Sequence, residues 1–302
     1  MDSGGSGGQQ TLRGAAMRWL DERPSPRVDF AWLSTFEYDG RRIPLMDRQR
    51  GIRKPAGMDA ALAIRTTYTP PGQLPPYTDA IGDDGLPRYK YRGDDPQHPE
   101  NLALRRAFEQ RLPLIWFVGV APGLYEPIYP VWVVGDDPGR LEFALALDEG
   151  QRFVTPGALV DEDARRYVER VTKARLHQRV FRAQVLLAYE GRCTICRISH
   201  SELLDAAHII EDGKPNGQPV VPNGLSMCKI HHAAFDHRIL GIRPDLTLHV
   251  RQDVLDEIDG WMLVGGIQGV HNTKLAVLPS ARAARPDLQR LEERYSAFLT
   301  TA

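Results

Sequence analysis

The sequence predicts an α+β protein of two domains: a curved sheet with one main helix in the amino-terminal part, and a small metal-binding module towards the carboxyl end. A chain of 302 residues is long enough for two domains. Several apolar, strand-like segments flank one helical segment before residue 150. All three cysteines and five of the nine histidines fall between Cys193 and His237, which sets a metal-rich segment apart from the rest of the chain.

The composition is that of an ordinary globular protein, with 42% hydrophobic and 25% charged residues. The net charge of −1 lacks the basic excess of many DNA-binding proteins, so any contact with nucleic acid must use a local basic face. Three cysteines cannot all pair with one another, and their position among histidines favours metal binding in a reducing cytoplasm. We expect a cytoplasmic protein without a membrane partner, because the sequence has neither a signal peptide nor an apolar run of transmembrane length.

The first domain is predicted to follow a Gly/Ser-rich tail over residues 1–10, which is expected to be disordered. A short helix is predicted over Leu12–Leu20 and an aromatic strand over Phe30–Tyr38. The dipeptide Asp39-Gly40 indicates a hairpin turn. A basic loop, Asp47–Pro55, comes next, so the start of the domain combines short elements with a charged loop.

Further strands and one helix complete the first domain. Ala60–Thr69 is predicted to be a strand, and Arg88–Arg92 alternates basic and aromatic side chains as a half-buried strand would. Glu100–Leu112 has helical periodicity. Three more apolar segments are predicted strands: Pro113–Val120, Ile128–Val134 and Leu141–Leu147. Strands with one main helix and large loops favour a domain built on a curved sheet.

The domain boundary is predicted at residue 155, so that the first domain spans 11–155 and a helical linker with the metal-rich module spans 156–302. A long helix is expected over Asp161–Tyr189, with Pro156 before it and Gly191 at its end. The remaining predicted elements are a strand and a final amphipathic helix, Leu246–Val250 and Pro286–Phe298.

Two short knuckles predict a structural zinc site. Cys193-x2-Cys196 and Cys228-x2-His231 supply three thiolates and one imidazole, which suit a tetrahedral zinc ion. These four ligands leave no open coordination position, so the predicted ion is structural and not catalytic. A module this small buries too little apolar surface to be stable alone, and the metal is expected to contribute folding free energy.

An ordered trio, His208, Asn223 and His232, is interleaved with the knuckles. Phosphodiester cleavage needs a base that takes a proton from water, a group that orients this base, and a ligand for a hard divalent ion. The trio offers one residue for each task. Two simpler interpretations stay open: His208 as a strand-end histidine bonded to a backbone carbonyl, and Asn223 as a turn residue before Gly224.

The segment from Gln178 to Ile242 resembles the HNH endonuclease family in its zinc-stapled ββα-metal form. The motifs that carry the resemblance are Asp205-Ala206-Ala207-His208, Pro222-Asn223-Gly224 and His231-His232-Ala233-Ala234-Phe235-Asp236. The resemblance implies a phosphodiester-cleaving hydrolase with His208 as general base and Asn223 as the residue that orients it. It also implies that His232 binds a catalytic Mg²⁺ or Mn²⁺, with Ni²⁺ and Co²⁺ as softer alternatives. Asp236 is expected to be either a second metal ligand or a partner of His232.

One position departs from the family pattern. Many members carry an aspartate immediately before the first histidine, where this sequence has Ala207. The Ala-Ala-His-Ile form resembles that of modification-dependent restriction enzymes, which implies restriction of foreign or modified DNA. The departure leaves the catalytic metal with fewer protein ligands. Asp205 is not expected to replace the missing ligand, because its side chain on a strand points away from that of His208.

The first domain resembles, more distantly, the SRA-like and PUA-like readers that select modified bases in restriction enzymes. This resemblance implies a DNA-recognition domain whose partner is double-stranded DNA, base-modified or not. Tyr89, Tyr91 or Trp32 would stack on a flipped base. Phosphate contacts are expected from the basic loop and from the helix before the zinc module, and the candidates are Arg48, Arg50, Arg53, Lys54, Arg179 and Arg182.

Three alternatives stay open. The chain is a nonspecific HNH nuclease of the toxin or phage type, or a zinc-stabilised DNA-binding module without catalysis, or its first domain senses a small nucleotide signal. Cutting of any DNA regardless of modification would favour the first, and a ligand-induced thermal shift the third. One active site per chain and a double-strand break together favour a homodimer.

Overall fold

The structure of the protein is a computed structural model that describes residues 4–23, 27–68, 70, 81–157, 162–258 and 260–300, with side chains from Thr11 onward. The chain divides into two compact units, and the division falls between Val180 and Phe181. Both units mix helices and strands, so the predicted α+β class is confirmed. Within the described residues, no helix combines the length and apolar character needed to cross a membrane.

The first unit contains most of the strands. Its helices are α1 (Gly4–Asp21), α2 (Phe30–Leu33), α3 (Pro99–Glu109) and α4 (Glu162–Thr172). Its strands are β1 (Val28–Asp29), β2 (Glu37–Tyr38), β3 (Arg41–Arg42), β4 (Ile52–Arg53), β5 (Ala63–Thr66), β6 (Arg88–Lys90), β7 (Leu114–Ala121), β8 (Leu124–Asp137) and β9 (Glu142–Ala146). A π-helical turn, Lys173–His177, joins α4 to α5 (Gln178–Ala188), and α5 contains the division between the units.

Seven strands of the first unit form one mixed sheet in the order β4-β5-β7-β8-β9-β6, with β1 paired to β8. Strands β5 and β7 are parallel, and the other pairs are antiparallel. The long β8 pairs with β7 along its first part and with β9 along its second, with a bulge between Val133 and Gly135. The predicted curved sheet is confirmed as a curled half-barrel. An SRA-like or PUA-like identity of this domain stays a prediction.

Helix α1 packs one face on the core of the first unit. Leu12, Ala16 and Leu20 recur at four-residue spacing and are buried together with Phe117 of β7. The helix begins at Gly4, upstream of this stripe, so residues 4–10 are helical where the sequence predicted a disordered tail. The low helix propensity of the glycines explains why the sequence alone did not indicate these first turns.

The aromatic segment Phe30–Tyr38 is not one strand as predicted. Its first four residues form α2, because the Asp29 carboxylate accepts a hydrogen bond from the Trp32 N–H at 2.8 Å and caps the helix. The Trp32 ring stacks on Trp19 with centroids 3.8 Å apart, which holds the turn against α1. The hairpin predicted at Asp39-Gly40 is confirmed, since this dipeptide joins β2 to β3.

The boundary between the units lies within the predicted helical linker and not at residue 155. Helix α4 belongs to the first unit because Val168 is buried with Leu86 and Ala144. The Gln151 side chain strengthens this packing, since its Nε2 donates to the Val168 carbonyl at 3.0 Å. The first half of the predicted linker therefore belongs to the first unit.

The second unit contains the metal-rich module. Its remaining elements are β10 (Leu204–His208), β11 (Gly224–Cys228), α6 (Lys229–Asp236), β12 (Leu240–Ile242), β13 (Leu248–Val250), α7 (Gln252–Leu255), α8 (Trp261–Gly266) and α9 (Leu288–Leu299). Strands β10 and β11 are antiparallel, with His208 opposite Gly224. Helix α6 follows β11 directly, which produces a ββα unit. Its core includes Ala207, Leu225 and Phe235.

Candidate active site

The four predicted zinc ligands lie together. Their donor atoms are all within 4.8 Å of one another. His231 Nδ1 is 3.2 Å from Cys228 Sγ and 3.6 Å from Cys193 Sγ, and Cys196 Sγ is 3.9 Å from Cys228 Sγ. Sulfur ligands about 2.3 Å from a tetrahedral zinc lie about 3.8 Å apart, so the group fits this ion. The Cys₃His set fits a structural zinc site.

The zinc ligands are held by backbone hydrogen bonds and by the start of α6. The Thr194 N–H donates to the Ser226 carbonyl at 2.7 Å and ties the first knuckle to β11. Cys228 ends β11 and precedes the first turn of α6, which carries His231. The outer nitrogen of this histidine, Nε2, lies 2.8 Å from the Gly266 carbonyl, so it donates there and leaves Nδ1 to face the cysteines.

The predicted catalytic histidines meet in one open pocket of about 330 Å³. His208 enters it from the end of β10, and His232 and Asp236 enter it from α6. Two acidic residues from the loop after β10 and one arginine from α9 complete the lining, namely Glu211, Asp212 and Arg294. A pocket with imidazole, carboxylate and guanidinium groups can bind a phosphate and a divalent ion and can move a proton.

His208 is half-buried, and its ring is held by stacking. The Phe181 ring lies parallel to it, with centroids 4.1 Å apart and planes 20° apart. Phe181 belongs to the core of the second unit and is almost fully buried. The imidazole therefore has a fixed plane before any substrate arrives.

Asn223 lies in the protein interior and holds the loop that follows His208. Its Oδ1 accepts from the Ile210 N–H at 2.9 Å, and its Nδ2 donates to the Ile210 carbonyl at 3.0 Å. Nδ2 also lies 3.1 Å from the Gln218 carbonyl. The side chain thus acts on the backbone two residues after His208, and through it on the position of the imidazole.

His232 and Asp236 form a pair that suits a metal ion. His232 Nε2 is 3.2 Å from Asp236 Oδ2, and neighbouring ligands of an octahedral ion with bonds of about 2.1 Å lie about 3 Å apart. The hydrogen bond to Asp236 raises the pKa of His232. Burial favours the neutral acid of Asp236, but the hydrogen bond from His232 and nearby cationic groups outweigh it and lower its pKa. The ionised Asp236 carboxylate and the His232 imidazole thus lie side by side, and both are groups that can bind a divalent ion.

Arg294 was not indicated by the sequence as part of the site. It lies on α9 and is 8% exposed. Its Nη2 donates to the Phe235 carbonyl at 3.0 Å, and its Nη1 donates to Glu211 Oε1 at 3.2 Å. The same Nη2 is 3.9 Å from Asp236 Oδ1, so the guanidinium links the loop after His208 to the end of α6. Glu211 thus lines the pocket and has an ionic partner.

Ala207 is buried in the core, as its place on the inner face of β10 dictates. Asp205, two residues earlier, lies outside the pocket lining and accepts hydrogen bonds from Arg182 and Lys229, each at 3.3 Å. Its Oδ2 is nevertheless 4.0 Å from His232 Nδ1. The carboxylates of the pocket therefore come from positions after His208, and Asp205 supports His232 from its other side.

The two tyrosines expected to stack on a base are held within the first unit, which corrects that prediction. The Tyr91 ring is 7% exposed and stacks on Phe143 with centroids 4.6 Å apart. Its hydroxyl donates to Asp136. The Tyr89 hydroxyl lies 3.0 Å from the Gly51 carbonyl and 3.1 Å from the Arg65 carbonyl. Neither ring is presented to a ligand, because the alternation of Arg88–Arg92 places both tyrosines on the inner side of the sheet edge.

The basic residues predicted to contact phosphate fall into two groups. Arg48 and Arg50 are exposed, and the Arg48 guanidinium lies 4.4 Å from the Phe30 ring centroid. Lys54 is also exposed, while its neighbour Arg53 donates from Nε to the Pro44 carbonyl at 2.9 Å. The basic loop thus presents three exposed cations.

The second group is engaged in the protein. Arg179 Nη2 is 3.0 Å from Glu126, and Arg182 Nη2 donates to the Ser201 and Leu204 carbonyls, each at 2.8 Å. These bonds hold the two side chains against neighbouring parts of the protein, so both arginines have a structural role.

Comparison with known proteins supports the nuclease interpretation. Residues 193–243 match the family described as HNH endonuclease. No curated protein matches the chain. A solved structure, titled "Modification dependent TagI restriction endonuclease", is 18% identical and covers 82% of this chain and 85% of that chain, with a TM-score of 0.31. A TM-score this low carries no argument about the fold. The family match and the ββα geometry together identify residues 193–243 as an HNH endonuclease domain.

Proposed function

We propose that the protein is a divalent-metal-dependent endonuclease that hydrolyses the phosphodiester bonds of double-stranded DNA. The observation that carries the proposal is the convergence of His208, His232 and Asp236 on one open pocket beside the zinc site. An exposed pocket of this kind admits a phosphate of the DNA backbone without requiring a particular base. Selection of the DNA then falls to the first unit.

His208 is the general base of the proposed reaction. It takes a proton from the attacking water while its ring is held by Phe181. The imidazole must be neutral for this step, so cleavage is expected to fall at acid pH. Asn223 is a positioning residue, since its hydrogen bonds fix the backbone at Ile210.

His232 and Asp236 are proposed to hold the catalytic ion, Mg²⁺ or Mn²⁺, with Ni²⁺ or Co²⁺ also suited to the imidazole. When bound, the ion polarises the scissile phosphate and stabilises charge on the leaving oxygen. Arg294 holds Glu211 and the end of α6 in place around this pair. Zinc at Cys193, Cys196, Cys228 and His231 stabilises the module and takes no part in the chemistry.

The biological role that we propose is restriction of foreign DNA, with base modification as the signal read by the first unit. The Ala-Ala-His-Ile sequence around His208 supports this role, because it resembles the form found in modification-dependent restriction enzymes. A homodimer is proposed as the active form, since each chain has one HNH site and a double-strand break needs two cuts.

Plasmid cleavage tests these proposals. Matched plasmids that are unmodified, 5-methylcytosine-containing or 5-hydroxymethylcytosine-containing are incubated with the protein and Mg²⁺ or Mn²⁺. His208→Ala should abolish cleavage, whereas His200→Ala, at an exposed histidine of the same unit, should not. Cutting confined to modified plasmids supports the restriction role. Equal cutting of all three would leave a nonspecific nuclease, and cleavage by His208→Ala would remove the proposed base.

A further inference from the structure

Phe153 is the most unusual apolar side chain of the first unit. It is 87% exposed, although an isolated phenyl ring gains free energy from burial. It lies at the end of a 3₁₀ turn, Gln151–Phe153, that follows β9. An ordered turn presents this ring to solvent, where a ligand can reach it.

The turn is anchored from beneath, so Phe153 is displayed from a rigid support. Gln151 is fully buried, and its Oε1 accepts from the Leu147 N–H at 2.6 Å. Its Nε2 donates to the Val168 carbonyl at 3.0 Å and lies 3.2 Å from Thr172 Oγ1. These bonds connect the turn to β9 on one side and to α4 on the other. The exposure of Phe153 is therefore fixed by buried contacts, which is how binding groups are preorganised.

Phe153 forms one wall of a pocket of about 530 Å³. The other walls come from the carboxyl end of α3 and from the bulged part of β8, and the side chains that matter are Phe108, Glu109, Arg111, Trp132 and Arg152. The volume is within the range of small-ligand sites, about 300–1,000 Å³. Three aromatic rings around one pocket suit a planar ligand better than a flexible one.

The charged groups of the pocket indicate how a ligand would be oriented. The Arg152 guanidinium lies 4.9 Å from the Trp132 ring centroid and is held there by Glu149 at 2.5 Å. Arg111 lies two residues after the end of α3 and is exposed, and no ion pair to a described residue occupies its guanidinium. Glu109, also exposed, offers a carboxylate that can accept from an exocyclic amine. Aromatic walls, a guanidinium open to an anion and one acceptor are the groups that a nucleotide uses.

We propose that this pocket binds one nucleotide unit. The base lies against Phe153 and the stacked Arg152–Trp132 pair, and the phosphate lies beside Arg111. The unit comes either from a DNA strand or from a free nucleotide, since both present the same chemistry. The inference rests on the proposed function only for the first of these sources, and it gives the sheet domain a ligand-binding site that Tyr89 and Tyr91 do not provide.

Binding without cleavage tests the proposal, so all measurements use His208→Ala as background. Fluorescence anisotropy with labelled single-stranded and double-stranded DNA is compared with calorimetry using deoxynucleoside monophosphates. Phe153→Ala should weaken binding about tenfold, the loss expected for one base–aromatic stack. Phe153→Trp should restore it. Ile258→Ala, which truncates an equally exposed apolar residue of the second unit, is the matched control.

Arg111→Gln provides the second measurement. If Arg111 neutralises a DNA phosphate, the slope of log K against log salt should become shallower by about one. Arg140→Gln, at another exposed arginine of the same unit, should leave the slope unchanged.

Loss of DNA binding alone identifies a strand as the source, and loss of monophosphate binding identifies a free nucleotide. Unchanged affinity of Phe153→Ala for both ligands would overturn the proposal. Failure of the proposed nuclease function is seen separately, as absence of DNA cleavage by the protein with both His208 and Phe153 intact.

Discussion

Phe181 and His208 stack with their ring centroids 4.1 Å apart, and this pair connects the core of the second unit to a histidine of the candidate site. Phe181 lies on α5, upstream of both zinc knuckles, while His208 ends β10. The proposed general base is therefore oriented by a helix outside the ββα motif. The position of the imidazole depends on how closely α5 approaches the hairpin.

Gly224→Ala should disturb this approach and reduce cleavage. A Cβ at Gly224, which pairs with His208 across the hairpin, would lie 2.4 Å from Val185 Cγ2 and 2.9 Å from Phe181 Cζ. Both neighbours are buried and cannot move away freely, so we expect a loss of about 1–3 kcal/mol in the free energy of unfolding. The displaced Phe181 ring would no longer align His208, and kcat should fall even in the folded fraction.

Chemical denaturation and single-turnover cleavage measure the two effects of Gly224→Ala. Gly265→Ala is the control, because nothing lies within 4 Å of its added methyl group. A Gly224→Ala protein with wild-type stability and rate would show that α5 does not set the position of the base.

The local motifs of the second unit could be predicted from sequence because their spacing fixes their geometry. A spacing of two residues lets both ligands of a pair reach the same metal ion, so the zinc site could be assigned without knowledge of the fold. Arg294 could not, since it reaches the pocket from α9, far along the chain. Phe181 and Glu211 were likewise missed, because a stacking partner or a lining carboxylate has no sequence pattern of its own.

The first unit was harder to predict for a different reason. Alternation correctly indicated strand β6, but it did not show that Tyr91 would be covered by the neighbouring strand and bonded to Asp136. Aromatic content favoured a strand at Phe30, where an aspartate cap instead starts a helical turn. In both cases tertiary contacts outweighed local propensity.

Removal of zinc should unfold the HNH domain and leave the first unit folded. We expect the small ββα unit to depend on zinc, because structural zinc contributes about 10 kcal/mol or more in comparable modules. Thermal melting with and without a strong chelator, with zinc content measured on the same samples, should show one lost transition. Cys196→Ala should reproduce this loss without chelator. A metal-free protein with unchanged melting would contradict the structural role.

Acid should weaken the first unit through Asp84. Burial would raise the pKa of this carboxyl, but hydrogen bonds from the Arg88 side chain at 2.7 Å and from the Gly157 and Leu86 N–H groups, each at 3.0 Å, outweigh burial and lower it. Because the pKa is lower in the folded state, the ionised carboxylate stabilises the fold fully at pH values above the ordinary pKa of 3.8. That contribution is lost as the pH falls through the lowered pKa.

Asp84→Asn is the matching variant for this pH dependence. At pH 7 it should lower the free energy of unfolding by about 2 kcal/mol, because it removes a charge-assisted bond in a buried position. Urea denaturation from pH 7 to pH 2.5 should show the gap between variant and wild type closing as the wild-type carboxylate is protonated. A gap that does not depend on pH would assign the effect to packing alone.

Asp236→Asn should weaken binding of the proposed catalytic metal ion without disturbing the zinc site. Asp236 Oδ2 faces His232 Nε2 at 3.2 Å, and an amide keeps the shape of this group while removing its charge. We therefore expect the Mg²⁺ or Mn²⁺ concentration for half-maximal cleavage to rise by about tenfold or more, since hard ions prefer charged oxygen ligands. Cleavage near saturating metal should recover in large part, whereas His208→Ala should stay inactive at any metal concentration. Zinc content and melting temperature should match the wild type, because Cys193 and its partners are untouched. A variant with normal metal dependence but slow cleavage would make Asp236 a partner of His232 and not a ligand.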